Sequence, residues 1–180
     1  MSEKHKRPKV GILLVRKNNG DYEAILQTRG TYDFRKDAPQ TWAGINQVTV
    51  EGKKHAHEED LHALRRELHE ELNQTAGEFV FKLLIGDGFD KHSILLKEDH
   101  LTIFVLEIPN DFLKDYGIRP ENITGGFRPV TRHHMSNMVV ANPEWRRAIH
   151  PYDLNTIVVM PHVKKALETL FTKMCPGPKK

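Results

Sequence analysis

Apolar and polar positions alternate in the first third of the chain in a way that predicts β-strands. Residues 10–17 and 22–28 are apolar segments joined by Asn18-Asn19-Gly20-Asp21, a strong hairpin signal. Residues 43–51 are predicted to form a further strand, because Val48 and Val50 alternate there with Gln47 and Thr49.

Between residues 52 and 74 the apolar residues no longer recur at every second position but at the three- and four-residue spacing of a helix. Three carboxylates, Glu67, Glu70 and Glu71, stand at i, i+3 and i+4 and so share one helical face. Carboxylates this close repel one another unless a cation neutralises them, which would make this face a metal-binding site. The alternative is an ordinary acidic helix face that is only solvated. Four leucines form a separate stripe suited to burial against a sheet: Leu61, Leu64, Leu68 and Leu72.

The remaining pattern predicts alternating short elements and a last helix. We expect a strand over residues 78–85, a hairpin formed by residues 92–96 and 101–108, and a short helix over residues 111–116. Residues 117–151, rich in Gly, Pro, Asn, His and Arg, are either a lid-like loop or irregular surface. Pro161 is suited to open a helix that ends before Pro176.

Composition and charge narrow the class of protein. A chain of 180 residues fits one domain, for which we expect residues 10–174, flanked by flexible tails at residues 1–9 and 175–180. A lone Cys175 excludes a disulfide within the chain and suits the cytoplasm, and no signal peptide or membrane span is evident. The net charge of +3 is compatible with phosphate substrates but too small to argue for binding duplex nucleic acid.

The spacing of charged residues around the acidic helix carries a resemblance to a known family. Gly52, Glu58, Arg66-Glu67-Leu68 and Glu70-Glu71 match the pattern G-x5-E-x7-R-E-U-x-E-E, where U is a bulky aliphatic residue. This segment resembles the Nudix box, with Asn73 in place of the final Gly and Gln74 in place of the last aliphatic residue. Asn is the usual substitute for Gly at a left-handed helix C-terminus, so we expect that geometry at Asn73. Glu51 stands where members often have another Gly.

The resemblance implies a fold, an activity and a set of site residues. The fold is expected to be α+β, a Nudix-like α/β/α sandwich with a mixed β-sheet. The expected activity is Mg²⁺-dependent hydrolysis, with Mn²⁺ as a possible replacement, of a pyrophosphate bond in a nucleoside diphosphate linked to another group X. A non-catalytic nucleotide-binding module of the same fold is the alternative, and a homodimer is left open. The implied metal ligands are Glu67, Glu70, Glu71 and the Gly52 carbonyl, with Glu67, Glu70 and Arg66 as catalytic candidates and Glu58 holding Arg66.

A loop before the box is a candidate substrate-binding segment. It combines aromatic and cationic side chains that could stack on a base and pair with phosphate, or that simply pin the loop: Arg29, Phe34, Arg35 and Trp42. The resemblance implies that the general base is either a glutamate of the box or an acidic residue on a later loop, for which Glu98 and Glu107 are candidates.

Overall fold

The computed structural model describes residues 7–33, 37–86, 93–117, 124–147 and 156–174. Its strands are β1 Lys9–Asn18, β2 Asp21–Arg29, β3 Tyr32–Asp33, β4 Ala38–Pro39, β5 Asn46–Gln47, β6 Val50–Lys53, β7 Ile94–Glu98, β8 Leu101–Glu107, β9 Thr124–Val130, β10 Met138–Val140 and β11 Ile157–Val159. Its α-helices are α1 Asp60–Glu71, α2 Gln74–Gly86, α3 Phe112–Asp115 and α4 Pro161–Met174, and two 3₁₀ helices span Arg132–Asn137 and Pro143–Arg147. The first strand therefore includes Lys9, which the sequence assigned to the N-terminal tail, whereas residues 1–6 and 175–180 lie outside the described residues.

Nine of these strands form one mixed sheet. Its main path runs β10-β11-β5-β2-β1-β8-β7, with β6 paired to β1 and β9 paired to β2. The central strand β1 is parallel to β8 and antiparallel to β2, whereas β3 and β4 form a separate two-stranded hairpin. Parallel pairing of β1 with β8 brings a strand from the second half of the chain beside the first one.

Strands β1 and β2 separate at one end of their hairpin, and β6, which contains Gly52, pairs with the free part of β1. The far half of β1 pairs with β2 from Leu14 opposite Ile25 onward, while its first half pairs with β6 from Lys9 to Ile12. At the branch point the Thr49 hydroxyl accepts a hydrogen bond from the Leu14 N–H at 2.8 Å and donates one to the Ile25 carbonyl at 2.5 Å. Thr49 thus replaces the ladder bonds that β1 and β2 lose there and fixes the direction of β6.

Two hydrophobic cores lie on opposite faces of the sheet, which confirms the expected α/β/α sandwich. Because side chains alternate along β1, Ile12 and Leu14 contact the core under α1, α2 and α3, whereas Leu13 and Val15 contact the core under α4. The α4 side chains in that second core are Val163, Ala166, Leu167, Leu170 and Phe171. Among the described residues, no helix is long and apolar enough to cross a membrane.

Helix α1 forms and ends as the sequence indicates. Leu64 and Leu68 are fully buried in the core beneath it. Asn73 adopts the left-handed backbone conformation, with φ of 113°, so the prediction for this substitution of Gly is confirmed. The Asn73 Oδ1 atom also accepts a hydrogen bond from the Ala76 N–H at 2.9 Å, so one residue ends α1 and caps α2.

The strand predicted over residues 78–85 is wrong, because these residues belong to helix α2. The run Phe79-Val80-Phe81 is typical of a strand, but Ala76, Val80 and Leu84 recur four residues apart and are buried in the core shared with α1. Close packing of the two helices depends on Gly77. A Cβ atom there would lie 2.8 Å from the Leu68 carbonyl carbon and oxygen.

Within the region of residues 117–151, the described residues 124–147 contain more regular structure than either sequence interpretation allowed, whereas residues 118–123 and 148–151 lie outside the described residues. Strand β9 pairs along β2 from Ala24 to Arg29 with an irregularity between Thr28 and Arg29, and β10 is parallel to β11. The two 3₁₀ helices flank β10 in the chain. These short elements depend on partners distant in sequence, so local composition could not reveal them.

Candidate active site

Glu67 of α1 lies directly against the backbone of Gly52 in β6. A Cβ atom added at Gly52 would stand 1.7 Å from the Glu67 Cδ and 1.9 and 2.1 Å from its carboxylate oxygens. Real carbon atoms do not approach this closely, so position 52 has to be glycine while Glu67 keeps this rotamer. Glu67 is only 8% exposed, and burial raises the pKa of its carboxyl against the opposing effect of Arg66.

Arg66 joins the acidic residues of the segment into one network. Its Nε and Nη2 atoms donate to the two carboxylate oxygens of Glu58 at 3.1 and 3.0 Å, so the ion pair expected from the sequence is present. Its Nη1 atom donates to Glu67 Oε1 at 2.7 Å and lies 3.4 Å from Glu70 Oε1. Nη2 also donates to the Lys53 carbonyl at 2.9 Å, which ties the loop after β6 to the helix.

Hydrogen bonds from Arg66 and from the backbone N–H of His55 hold the pKa of Glu58 at about 2. The same bond to Glu58 raises the pKa of the Arg66 guanidinium. Both groups are therefore charged at neutral pH. The pair acts as a fixed brace between the loop and α1.

Glu71 carries the most perturbed carboxyl of the segment. Burial first, and then the negative charges of Glu67 and Glu51, raise its pKa to about 8. Its Oε2 atom is buried and has no hydrogen-bond partner among the described residues. A buried oxygen of this kind is costly to leave unsatisfied, so the arrangement favours a ligand that supplies positive charge or a donor at this point.

Gln27 of β2 adds a second unsatisfied polar group next to Glu71. Its carboxamide lies close enough to the Glu71 carboxyl to lower the pKa of Glu71, against the larger effect of burial, and its Oε1 accepts a hydrogen bond from Gln47 Nε2. Gln27 itself is fully buried, and within the described part of the chain its Nε2 atom has no partner. Gln27 was not among the predicted site residues, because a lone glutamine in an apolar strand carries no local signal of function.

Glu51 is the other residue whose importance the sequence did not reveal. Its carboxylate accepts hydrogen bonds from Lys9 Nζ and from His162 Nε2, each at 2.6 Å, and its side chain is 6% exposed. Burial alone would raise its pKa, but His162 and Lys9 outweigh that effect and hold the pKa at about 2. A buried carboxylate thus stands beside Gly52, held by the first strand and the last helix.

The box glutamates differ in exposure and do not converge on one point. Side-chain exposure is 10% for Glu67 and 43% for Glu70. In the ranges that the structure describes, no three acidic, histidine or cysteine side chains are arranged as a ready metal cage. What these residues offer a hard cation is oxygen donors, excess negative charge and the unsatisfied Glu71 oxygen.

The candidate substrate loop is only partly described. Arg29 donates from Nε to the Thr41 carbonyl at 3.0 Å and from Nη1 to Gln47 Oε1 at 2.8 Å. Trp42 is half-buried, has φ of 63°, and donates its backbone N–H to the Arg146 carbonyl at 2.9 Å. Phe34 and Arg35 lie outside the described residues. Arg29 and Trp42 thus help to fix the loop, and their role toward a substrate stays a prediction.

The two later acidic candidates for a general base have partners outside the box. Glu98 Oε1 accepts a hydrogen bond from Lys165 Nζ at 2.5 Å, which lowers the pKa of Glu98. Glu107 Oε2 accepts a hydrogen bond from the Tyr22 hydroxyl at 3.4 Å. Both carboxylates therefore have partners of their own, and their role as a general base stays a prediction.

Comparison with solved structures identifies the fold. A MutT/nudix family protein from Listeria innocua is 14% identical, with 96% of each chain aligned and a TM-score of 0.51. A C. elegans Ap4A hydrolase, 11% identical over 96% of this chain and all of its own, gives a TM-score of 0.48. RenU, a Nudix hydrolase from M. smegmatis, is 12% identical over 93% of this chain and 88% of its own, with a TM-score of 0.44.

These identities are too low to show more than the fold. No protein-family model matches the sequence, and no curated protein matches it. The architecture, a mixed sheet between helical layers, is the Nudix fold.

Proposed function

We propose that this chain is a divalent-metal-dependent hydrolase that cleaves a pyrophosphate bond in a nucleoside diphosphate linked to another group X. The observation that carries this proposal is the buried Glu71 carboxyl, whose Oε2 atom has no partner among the described residues, on the same helix as Glu67, which packs against the backbone of Gly52. Nucleotide sugars, dinucleotides and nucleoside triphosphates all contain the bond in question.

Mg²⁺, or Mn²⁺ in its place, would be held by Glu67, Glu70, Glu71 and the Gly52 carbonyl. These are hard oxygen donors of the kind that Mg²⁺ takes together with phosphates and water. The Glu71 carboxyl fits this assignment, because burial and the neighbouring charges of Glu67 and Glu51 disfavour its ionised form, which a bound cation would stabilise, and its Oε2 atom has no partner among the described residues. A metal ion held by these residues would supply positive charge near the phosphates and a Lewis acid for the attacking water.

Arg66 acts in this proposal as a positioning residue. Its guanidinium is fixed by two bonds to Glu58 and contacts both Glu67 and Glu70, so it sets where these carboxylates point. Glu70 is the more exposed of the two and is therefore better placed to accept a proton from a water molecule. Glu67 is the more constrained, which suits a ligand whose position has to be constant.

The proposal is tested by replacing Glu70 or Glu71 with glutamine and measuring product release from a panel of nucleotide diphosphates at saturating Mg²⁺. We expect turnover to fall by two or more orders of magnitude, because charge is lost without a change of volume. The Glu71→Gln variant should unfold at an equal or higher temperature without metal, since glutamine resembles the protonated form that burial favours.

Glu168→Gln is the matched control, because Glu168 is an exposed acid of α4. It should behave as wild type. Near-wild-type rates for both Glu70→Gln and Glu71→Gln would show that the carboxylate set is not the site. Binding of nucleotide diphosphates without any product release would instead identify a non-catalytic nucleotide-binding module.

A further inference from the structure

A basic cavity of about 650 Å³ opens beside the contact between Gly52 and Glu67. Its lining includes Arg7, Lys53, Lys54 and His55 together with Arg66 and Glu67. The concave shape matters, because a cleft in which one sign of charge predominates concentrates the field more than a flat surface does, and here the basic side chains outnumber the single carboxylate. Since Glu67 belongs to both, the cavity adjoins the candidate metal site.

Two of the cations in this cavity are already neutralised by the protein. Lys54 forms an ion pair with Asp60, and Arg66 is held by Glu58. Arg7 and Lys53 have no ion-pair or hydrogen-bond partner for their side chains among the residues that the structure describes, and both are exposed. The cavity therefore presents two cations available for an anionic ligand.

The backbone that carries these two cations is fixed in place. Lys53 pairs with Lys9 across the β1–β6 ladder, and its carbonyl accepts the bond from Arg66 Nη2 at 2.9 Å. The Pro8 carbonyl accepts a hydrogen bond from the Lys54 N–H at 2.9 Å, which holds Arg7 opposite the same loop. Binding an anion here therefore requires ordering of side chains but little rearrangement of the main chain.

We propose that this cavity binds a phosphate group of the substrate beyond the diphosphate that is cleaved. The inference rests on the proposed function and narrows it: the substrate is a nucleotide with three or more consecutive phosphates, and not a diphosphate joined to an uncharged sugar. A polyphosphate chain that lies at Glu67 extends into the adjoining cavity, where Arg7 and Lys53 contact its terminal part. Phosphate oxygens accept the charge-assisted hydrogen bonds that guanidinium and ammonium groups donate.

The binding step is tested without catalysis, by calorimetric titration of inorganic tripolyphosphate into metal-free protein. The Arg7→Gln, Lys53→Gln and double variants are compared with the double variant Lys114→Gln/Lys173→Gln, which removes two exposed positive charges from α3 and α4. We expect the cavity double variant to bind at least about tenfold more weakly, since two charge-assisted bonds are lost at a partly exposed site. The control should bind as wild type does.

Circular dichroism shows whether each variant is folded. If the cavity double variant does not fold, the affinities of the two single variants test the cavity in its place. Equal affinity of the cavity and control double variants, or no binding of tripolyphosphate to the wild type, would overturn the inference. A loss confined to the cavity variants would support it.

A kinetic measurement separates this inference from the proposed function. For a nucleoside triphosphate relative to a nucleotide sugar, we expect the ratio of kcat/KM to fall about tenfold in the cavity double variant, mainly through KM. An unchanged ratio in an active enzyme rejects the cavity assignment and leaves the hydrolase proposal standing. Failure to hydrolyse any nucleotide, with tripolyphosphate still bound at Arg7 and Lys53, rejects the hydrolase proposal alone.

Discussion

Replacing Gly52 with alanine tests whether the position of Glu67 controls activity. The new Cβ would be 1.7 Å from the Glu67 Cδ, which has to retreat by about 1.7 Å to reach the 3.4 Å where ordinary van der Waals contact begins. A misplacement of about 1 Å in a reacting group costs on the order of 100-fold in rate. We therefore expect kcat of Gly52→Ala to fall by about 100-fold or more.

Stability should change much less than activity. The atoms that collide with the new methyl group are the far end of a flexible side chain, so Glu67 can turn away at the cost of its 2.7 Å bond to Arg66. We expect the free energy of unfolding to fall by about 1–2 kcal/mol, which is comparable to the cost of mild overpacking together with the loss of one charged hydrogen bond. Urea unfolding of the metal-free protein measures it.

The matched control is Gly86→Ala, because a Cβ atom at the end of α2 meets no atom of the described residues within 4 Å. This variant should keep full activity. Gly52→Ala in a Glu67→Ala background provides the second control, since there the collision is absent and the added change should cost no further activity. Wild-type kcat in the Gly52→Ala single variant would refute the claim that this contact positions a functional carboxylate.

Three further predictions follow from contacts described above. Arg66→Ala should lower both turnover and the unfolding temperature. Arg66→Lys should lose less of both but not reach the wild-type values, because an ammonium group cannot donate two parallel hydrogen bonds to Glu58. Wild-type turnover and unfolding temperature in Arg66→Lys would contradict this. The pKa of Glu51 is about 2 and lies below its ordinary value of 4.5, so ionised Glu51 contributes roughly 3 kcal/mol to the free energy of unfolding. This contribution is present above pH 4.5 and is lost as the pH falls toward 2. Urea titrations of Glu51→Gln should therefore lack this component of the pH dependence of stability. Gly77→Ala should destabilise by about 1–3 kcal/mol despite better helix propensity, since its Cβ would meet the Leu68 backbone at 2.8 Å; a gain in stability would show that α2 moves freely.

Local pattern was enough to predict the elements that carry their own periodicity. The hairpin around Asn19-Gly20, the buried face of α1 with Leu64 and Leu68, and helix α4 all follow from spacing that a few neighbouring residues determine. Asn73 belongs with them, because a left-handed residue at a helix end is a property of the local backbone.

Features that depend on distant partners were not predictable in this way. Phe79-Val80-Phe81 satisfies a strand pattern as well as a helical one, and only packing against α1 through Gly77 decides between them. The bond between Glu51 and His162 joins residues 111 positions apart, so nothing near Glu51 indicates that it is buried and charged. Spacing within one segment can indicate which carboxylates lie close together, but it cannot reveal a partner such as His162 that a distant part of the chain supplies.

That bond also has a consequence for how the protein is made. Glu51 is held by Lys9 from the first strand and by His162 from the last helix, and β1 gains its parallel neighbour β8 only after residue 101. During synthesis the segment of residues 52–74 therefore leaves the ribosome long before the residues that complete its surroundings. We expect chains released before residue 162 to carry Glu67, Glu70 and Glu71 and still lack the charge arrangement that His162 completes at Glu51.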